Sequence, residues 1–213
     1  MSLSSLSKEA ATREKILDAA AKRVEAVGFS NTTLTSVAKS ADLSRMTIYR
    51  HYASVEEVMQ DLMTREFNGI VEHAVFEAPG QLDSIQRGQI VEAVVSALDQ
   101  LTRHPLFLRL LAADPELLIP YVTERPGRFQ LRAQAVLEAA IKVAIEAGEV
   151  KDDDPARLAG SMILAMRGYA LTDKSRWSKR ERTAMLSDLT TMLDALLASG
   201  DVVWSGVGAL SSA

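Results

Sequence analysis

The stretch Thr33–Tyr52, TLTSVAKSADLSRMTIYRHY, decides the fold. Thr33 and Ser44 are of the residue types that cap helix N-termini, because a hydroxyl oxygen can accept a backbone N–H that has no partner within the helix. After the first cap, apolar residues recur at three- and four-residue intervals, which is typical of a helix with one buried face. The pattern therefore predicts two short helices joined by a sharp turn at Asp42.

The second of these helices, Arg45 to about His51, is expected to bury Ile48 and to present a face rich in hydrogen-bond donors. Arginine can pair with phosphates or guanine edges, and hydroxyl and methionine side chains can meet base edges or thymine methyl groups. This layout predicts a helix-turn-helix whose second helix enters the DNA major groove. The alternative is a helical hairpin with a solvated polar face. The residues predicted to contact DNA are Thr33, Ser44, Arg45, Met46, Thr47, Tyr49, Arg50 and His51.

The flanks of this stretch also predict helices. Residues 12–27 carry an apolar stripe and end at Gly28, a residue type that commonly ends helices. Residues 1–11 are expected to form a frayed arm. Ser54 and Glu57 have the spacing of a capping box, which predicts that a further helix starts there.

A series of short motifs follows in a fixed order: Gly28-Phe29, Thr32-Thr33, Val37-Ala38, Ala41, Leu43-Ser44, Thr47-Ile48-Tyr49, His51-Tyr52, and Ser54 with Glu56. In this order and spacing they resemble the tetracycline-repressor (TetR) family of bacterial transcriptional regulators. The resemblance covers roughly the first quarter of the chain closely, and the rest only in length and helical character. It implies a regulator, expected to be a repressor, that binds a palindromic operator as a homodimer and is released by a small-molecule effector.

Two positions depart from the family pattern. Asp42 stands where the family usually has glycine, but Asp is one of the few other residues that tolerate a left-handed backbone. Val55 stands where the family tends to have lysine, and valine cannot make the phosphate contact that a lysine would make. The N-terminus of the helix that follows can still offer backbone N–H groups to phosphate.

The chain has 213 residues, no cysteine and a formal net charge of −4. Without cysteine there is no disulfide, thiolate nucleophile or iron–sulfur cluster. The start of the chain lacks the apolar core of a signal peptide, and no apolar run is long enough to span a membrane, so we expect a cytoplasmic protein without membrane association. Residues 1–53 hold eight Lys and Arg against five Asp and Glu, whereas the remainder holds sixteen against twenty-three. A positive head on an acidic body suits a protein that touches phosphate with one end only. Because the head is only mildly positive, we expect the affinity for DNA to depend on two heads binding together.

The whole chain is predicted to be all-α. It divides into a three-helix DNA-binding head (1–53), a helical ligand-binding and dimerisation body (54–200) and a tail (201–213). The helices predicted in the body span about 55–77, 82–103, 127–147, 155–172 and 179–199.

The last two helices carry more apolar surface than one body needs, which predicts a four-helix interface between two copies. The alternative is a simple core helix pair. The residues predicted at the interface are Ile163, Met185, Leu186, Leu189, Leu193 and Leu196. Two heads related by a dyad would read an inverted repeat with half-sites about 34–36 Å apart.

Four prolines between residues 105 and 126 divide an apolar segment into short pieces, and irregular packing of such pieces favours a cavity. An ordinary connecting segment is the alternative. The candidate ligand-contacting residues are Phe107, Arg109, Met162, Met166, Arg167 and Tyr169. Arg167 lies in an apolar run, so it must be paired, reach solvent or meet an anionic ligand; an interface salt bridge is the favoured reading.

An enzyme and a protein-binding helical module are the rival classes. The three histidines, His51, His73 and His104, are widely separated, and no nucleotide-binding or nucleophile motif occurs. We therefore predict no catalytic residue, cofactor or metal, with a magnesium site at residues 151–154 as a remote alternative to a solvated loop. A module without DNA binding would differ in showing no salt-dependent binding to duplexes.

Overall fold

The computed structural model describes residues 3–76, 85–119, 126–172 and 177–198. These residues form nine α-helices and one short 3-10 turn, and their regular structure is helical throughout, as predicted. The helices are α1 (Leu3–Val27), α2 (Leu34–Ser40), α3 (Arg45–His51), α4 (Val55–Phe76), α5 (Arg87–Arg103), α6 (Pro105–Ala113), α7 (Arg128–Glu146), α8 (Pro155–Leu171) and α9 (Lys179–Leu197), with the 3-10 turn at Pro115–Leu117.

The head is built on a small apolar core that α1, α2 and α3 share. The side chains of Ile16, Val24, Val37 and Ile48 are fully inaccessible to solvent. Their spacing places one buried stripe on each helix, which is why three elements, two of them only seven residues long, hold together. The burial of Ile48 confirms that the opposite face of α3 is turned outward.

Two residues of the head adopt the left-handed backbone that the turns require. Asp42 has φ +51° between α2 and α3, and Gly28 has φ +82° after α1. The turn therefore forms with Asp42 in place of glycine, as expected.

The body packs around α5, which contacts α4, α6, α7, α8 and α9. The long helix α4 contacts α1 of the head as well as α5 and α7, and α6 also contacts α1. Head and body thus share one continuous core. Among the described residues, no helix is both long and apolar enough to cross a membrane.

Two predicted helix starts were wrong. The first helix begins at Leu3 rather than at residue 12, because residues 3–11 contain no proline or glycine that would stop it. Thr12 does not begin this helix, since its hydroxyl donates to the Lys8 carbonyl one turn earlier (2.8 Å). The second body helix begins at Arg87, and Gln86 before it has an extended backbone.

The predicted tail, 201–213, lies outside the described residues.

Candidate DNA-binding face and body cavity

The outer face of α3 presents four exposed side chains. Met46 is 83% exposed and Tyr49 is 54% exposed, and Arg45 and Arg50 are also exposed. A methionine and a tyrosine that stay largely exposed beside two arginines favour contact with another molecule. The face matches the residue types that meet phosphates and base edges.

The other predicted DNA-contacting residues are placed differently. Thr33 is exposed and accepts a hydrogen bond from the Ser36 amide (3.2 Å), which caps α2. Ser44 caps α3 by accepting from the Thr47 amide (3.1 Å), and its hydroxyl also meets the Thr47 hydroxyl (2.8 Å). Thr47 and His51 are only half-buried rather than fully on the outer face, and His51 Nε2 is inaccessible without a hydrogen-bond partner. The DNA contact predicted for His51 stays a prediction.

Ser54 caps the start of α4, but the predicted capping box is only half formed, because the Glu57 carboxylate accepts from the amide of Ala53 and not from that of Ser54. The Glu57 amide donates to the Ser54 hydroxyl (3.3 Å), and the Ala53 amide donates to Glu57 Oε2 (2.8 Å). Val55 is half-buried and packs against the core instead of reaching outward as a lysine would. The side chain at position 55 therefore supplies no positive charge for a phosphate at the start of α4.

A buried carboxylate, Asp61 of α4, anchors the end of α3. It accepts hydrogen bonds from the Tyr52 hydroxyl (2.9 Å), from Arg13 of α1 and from Arg128 of α7. The Arg13 guanidinium also lies 5.4 Å from the centre of the Tyr52 ring. Burial opposes ionisation of Asp61, but these donors outweigh burial and lower the pKa of its carboxyl. The last turn of α3 is thereby tied to helices of both head and body.

A second buried carboxylate, Asp114, joins the end of α6 to the turn after α1. Asp114 is 2% exposed and accepts from the amides of Phe29 (2.9 Å) and Ser30 (3.1 Å) and from the Ser30 hydroxyl. Burial opposes its ionisation, yet these hydrogen bonds lower the pKa of the Asp114 carboxyl. Neither Asp61 nor Asp114 was singled out from the sequence, because nothing local distinguishes them from solvated carboxylates.

A cavity of about 340 Å³ lies in the body. It is enclosed mainly by side chains of α4, α5, α7 and α8, and most of its lining is aliphatic or aromatic. Its volume lies at the low end of the range for small-molecule sites. The larger lining side chains are those of Met63, Phe67, Ile70, Leu98, Leu101, Phe107, Phe129 and Met166.

Three of the six candidate ligand-contacting residues line this cavity: Phe107, Met166 and Arg167. The other three do not.

Met162 is fully buried in the core, and the ring of Tyr169 lies against Trp177 with centroids 6.3 Å apart. Arg109 lies instead beside Asp114 and Gly28, where α6 meets the head. Arg128, which no sequence pattern singled out, also lines the cavity.

The predicted dimer interface is only partly available for a partner. Leu189 (7% exposed) and Leu193 (1%) face the core of their own chain, which covers them without a partner. Ile163 lines the cavity, and Leu186 and Leu196 are half-buried.

Large apolar side chains remain exposed on the same two helices. Leu164 of α8 is 67% exposed, and Met185 and Met192 of α9 are 44% and 63% exposed. These three exposed side chains, Leu164, Met185 and Met192, are together called the α8–α9 patch below.

The acidic loop before α8 acts as a helix cap. Asp154 accepts from the Ala156 amide (3.0 Å), and Asp153 pairs with Arg157. Among the described residues, no group of three or more His, Asp or Glu is placed to hold a metal ion.

The fold and the exposed face of α3 define a helix-turn-helix DNA-binding protein. Residues 16–62 match the family model described as bacterial regulatory proteins, tetR family. In this segment the chain resembles the TetR family of bacterial transcriptional regulators. The similarity is to transcriptional regulators.

Other comparisons cover most of the chain. An HTH-type transcriptional regulator of Mycobacterium tuberculosis strain H37Rv is 29% identical over 195 residues, which cover 92% of this chain and 99% of the relative. Among solved structures, GusR of Salmonella enterica has a TM-score of 0.60 and 22% identity, covering 87% of this chain and 95% of GusR. The regulator FadR of Bacillus subtilis, solved in complex with stearoyl-CoA, has a TM-score of 0.62 and 15% identity, covering 87% of this chain and 99% of FadR. These two structures share the fold of the chain.

Proposed function

We propose that this regulator binds an inverted-repeat operator as a homodimer and is released from it by a small-molecule effector held in the body cavity. The head, residues 1–53, would contact DNA, and the body, residues 54–200, would bind the effector and the second copy. As a bacterial DNA-binding regulator it would act in the cytoplasm. The observation that carries the proposal is the exposed, donor-rich face of α3. Ser44 caps the start of this helix, and Tyr52 at its end is held by Asp61.

The four exposed residues of α3 divide by chemistry. Arg45 and Arg50 can pair with phosphates or with guanine, whereas Met46 and Tyr49 can meet thymine methyl groups and base edges or phosphate oxygens. Because α3 has only seven residues, one copy can reach only a few base pairs. Specific binding therefore calls for two copies on adjacent turns of the same duplex face.

The α8–α9 patch supports the homodimer. Leu164, Met185 and Met192 are large apolar side chains on neighbouring helices, and their exposure costs free energy unless a partner covers them. A two-fold axis through this patch would pair α8 and α9 with the same helices of the second copy, which makes a four-helix interface.

The cavity supports an effector of limited size and mainly apolar character. Its lining reaches from α4, which contacts the head, to α8, which carries part of the α8–α9 patch. A ligand that fits one arrangement of these helices better than another would shift the spacing of two paired heads. The similarity in fold to a FadR crystallised with stearoyl-CoA is consistent with a ligand in the body.

The decisive experiment measures binding to DNA. Selection of bound fragments from a random duplex pool should yield an inverted repeat, and fluorescence anisotropy should then give an affinity that falls steeply with salt. A single half-site that bound as tightly as the full repeat would refute the dimeric reading. A protein indifferent to every duplex in low salt would support a protein-interaction module instead.

Matched variants assign the binding to α3. Arg45→Ala and Arg50→Ala should each weaken operator binding by about 1–3 kcal/mol, with a smaller salt dependence where a phosphate contact is lost. Lys142→Ala removes one exposed positive charge from α7 and should leave the affinity unchanged. Equal losses in all three variants would indicate a general charge effect rather than a DNA contact through α3.

A further inference from the structure

The body cavity combines an apolar interior with positive charge. In the part of the chain that the structure describes, its lining includes two arginines, Arg128 and Arg167, and no aspartate, glutamate or lysine. The remaining lining is chiefly aliphatic and aromatic. Burying a carboxylate in such a lining would be costly without a partner, whereas an arginine supplies one.

Arg128 lies at the edge of this cavity. It is the first residue of α7, its side chain is 60% exposed, and its Nη2 donates to Asp61 Oδ1. Water therefore reaches the guanidinium from one side while the apolar lining begins on the other. A guanidinium has five N–H donors, so the contact with Asp61 leaves donors for a second acceptor.

Asp61 does not depend on Arg128 alone. If Arg128 turned away, the carboxylate would still accept hydrogen bonds from the Tyr52 hydroxyl and from Arg13. Loss of Arg128 would therefore not leave a buried charge unpaired, which is the usual reason that breaking such a contact is strongly unfavourable. The bond between Arg128 and Asp61 can be exchanged at a modest cost.

We propose that Arg128 selects an effector with an anionic head group on an apolar chain or ring by exchanging its hydrogen bond to Asp61 for one to the head group. The inference rests on the proposed function, which places the effector in this cavity. The apolar part would fill the interior between α4 and α8, and the charge would stay at the hydrated edge beside Arg128. The volume of about 340 Å³ restricts the buried part to a single small chain or ring.

The exchange also gives the effector a route to the head. Asp61 ties α7 to Arg13 of α1 and to Tyr52, the residue that ends α3. When the ligand takes Arg128, the first turn of α7 loses its direct bond to this cluster. An anionic effector then favours a body arrangement that differs from the one bonded to the head.

The test uses three probes with the same ten-carbon chain: decanoate, decan-1-ol and decylamine. Titration calorimetry on the full-length protein should show that decanoate binds roughly tenfold more tightly than decan-1-ol, and that decylamine binds more weakly than either. In Arg128→Gln the advantage of decanoate over decan-1-ol should fall to near parity, whereas the affinity for decan-1-ol should stay the same. Arg128→Lys, which keeps the charge on a different geometry, should retain part of the advantage.

A control on the same helix isolates the role of Arg128. Arg132 is half-exposed, pairs with Glu72 and lies outside the cavity lining, so Arg132→Gln should keep the full preference for decanoate. Decanoyl-CoA tests whether the anionic group at Arg128 is a carboxylate or a phosphate. If decanoyl-CoA binds wild type more tightly than decanoate does, and Arg128→Gln abolishes that difference, the phosphates lie at Arg128. Circular dichroism and thermal unfolding of every variant verify that it is folded.

Several outcomes would overturn the inference: equal affinity of wild type for decanoate and decan-1-ol, a preference for decylamine, a preference for decanoate that survives Arg128→Gln, or binding of no probe. Operator binding, measured on the same preparations without any probe, tests the proposed regulator separately. Where decanoate weakens operator binding in wild type, the effect should be reduced at least several-fold in Arg128→Gln at the same ligand occupancy.

Discussion

At the scale of single residues, the contact between Gly28 and Asp114 is a sensitive point of the head. Gly28 has φ +82°, and a Cβ atom placed on it would lie 3.2 Å from Asp114 Oδ2. The same carboxylate accepts from the Phe29 and Ser30 amides, so it has little freedom to move away. Both the backbone conformation and the close approach therefore favour glycine at this position.

In Gly28→Ala the left-handed backbone alone should lower the free energy of unfolding by about 1–2 kcal/mol. The close approach of the new Cβ atom to Asp114 should lower it further. Gly148→Ala is the matched control, because Gly148 has φ +75° with open space around the position of a Cβ. Urea unfolding monitored by circular dichroism measures both variants. Equal losses would show that the contact with Asp114 adds no cost.

Asp42 supports a second prediction at this scale. Its φ of +51° is left-handed, which alanine tolerates poorly and glycine adopts freely. Asp42→Gly should therefore be more stable than Asp42→Ala by about 1 kcal/mol, as measured by urea unfolding. An alanine variant as stable as the glycine variant would mean that the turn between α2 and α3 can relax to another conformation.

At the scale of helices, α9 has two faces with different roles. Leu193 is 1% exposed and packs into its own chain, whereas the adjacent Met192 is 63% exposed and belongs to the α8–α9 patch. Neighbouring positions on one helix point about 100° apart, so each can be changed without touching the other face.

Met192→Glu should convert a dimer into monomers without unfolding the chain, because it places a charge in a contact that should be apolar. Leu193→Ala should leave the assembly unchanged but lower the free energy of unfolding by about 2–5 kcal/mol through the cavity it creates. Sedimentation velocity reports the assembly, and urea unfolding reports the stability. A Met192→Glu protein that remains dimeric would place the interface elsewhere.

Helix ends were largely predictable because their signals are local. Ser44 and Ser54 stand directly before α3 and α4, and their residue type alone identifies them as N-caps. Which face of α9 packs against its own chain was not predictable. An apolar stripe that includes Leu193 has the same sequence pattern whether its own chain or a second copy covers it.

At the scale of the whole molecule, long-range hydrogen bonds hold the head on the body. Asp114 lies 85 residues from Phe29 in sequence, and Asp61 lies 48 residues from Arg13 and 67 from Arg128. No local pattern in the sequence indicates such pairs, and for this reason the cavity edge and the attachment of the head emerged only from the structure. The family resemblance covered the head, whereas the position of the cavity depends on how α4, α5, α7 and α8 pack.

The two carboxylates also set how the molecule responds to acid. Asp61 and Asp114 have pKa values below their usual range in the folded protein, whereas an aspartate in the unfolded chain has a pKa of about 3.9. At acidic pH the unfolded chain therefore binds more protons than the folded one. The stabilisation that these groups supply is present above about pH 5. It is lost progressively as the pH falls through the pKa values that the two carboxyls have in the folded protein.

Asp114→Asn should make this contribution measurable. Near neutral pH the variant should be less stable than wild type by about 1–3 kcal/mol, because the amide replaces one charged acceptor in a buried site with a donor. The difference should shrink as the pH is lowered from 5 to 3, since wild type then loses the same charge. Urea unfolding across this range gives both curves, and Asp152→Asn, which alters an exposed carboxylate, should follow the wild-type curve throughout. A stability gap between Asp114→Asn and wild type that stayed constant with pH would mean that ionised Asp114 does not stabilise the attachment of α6 to the head.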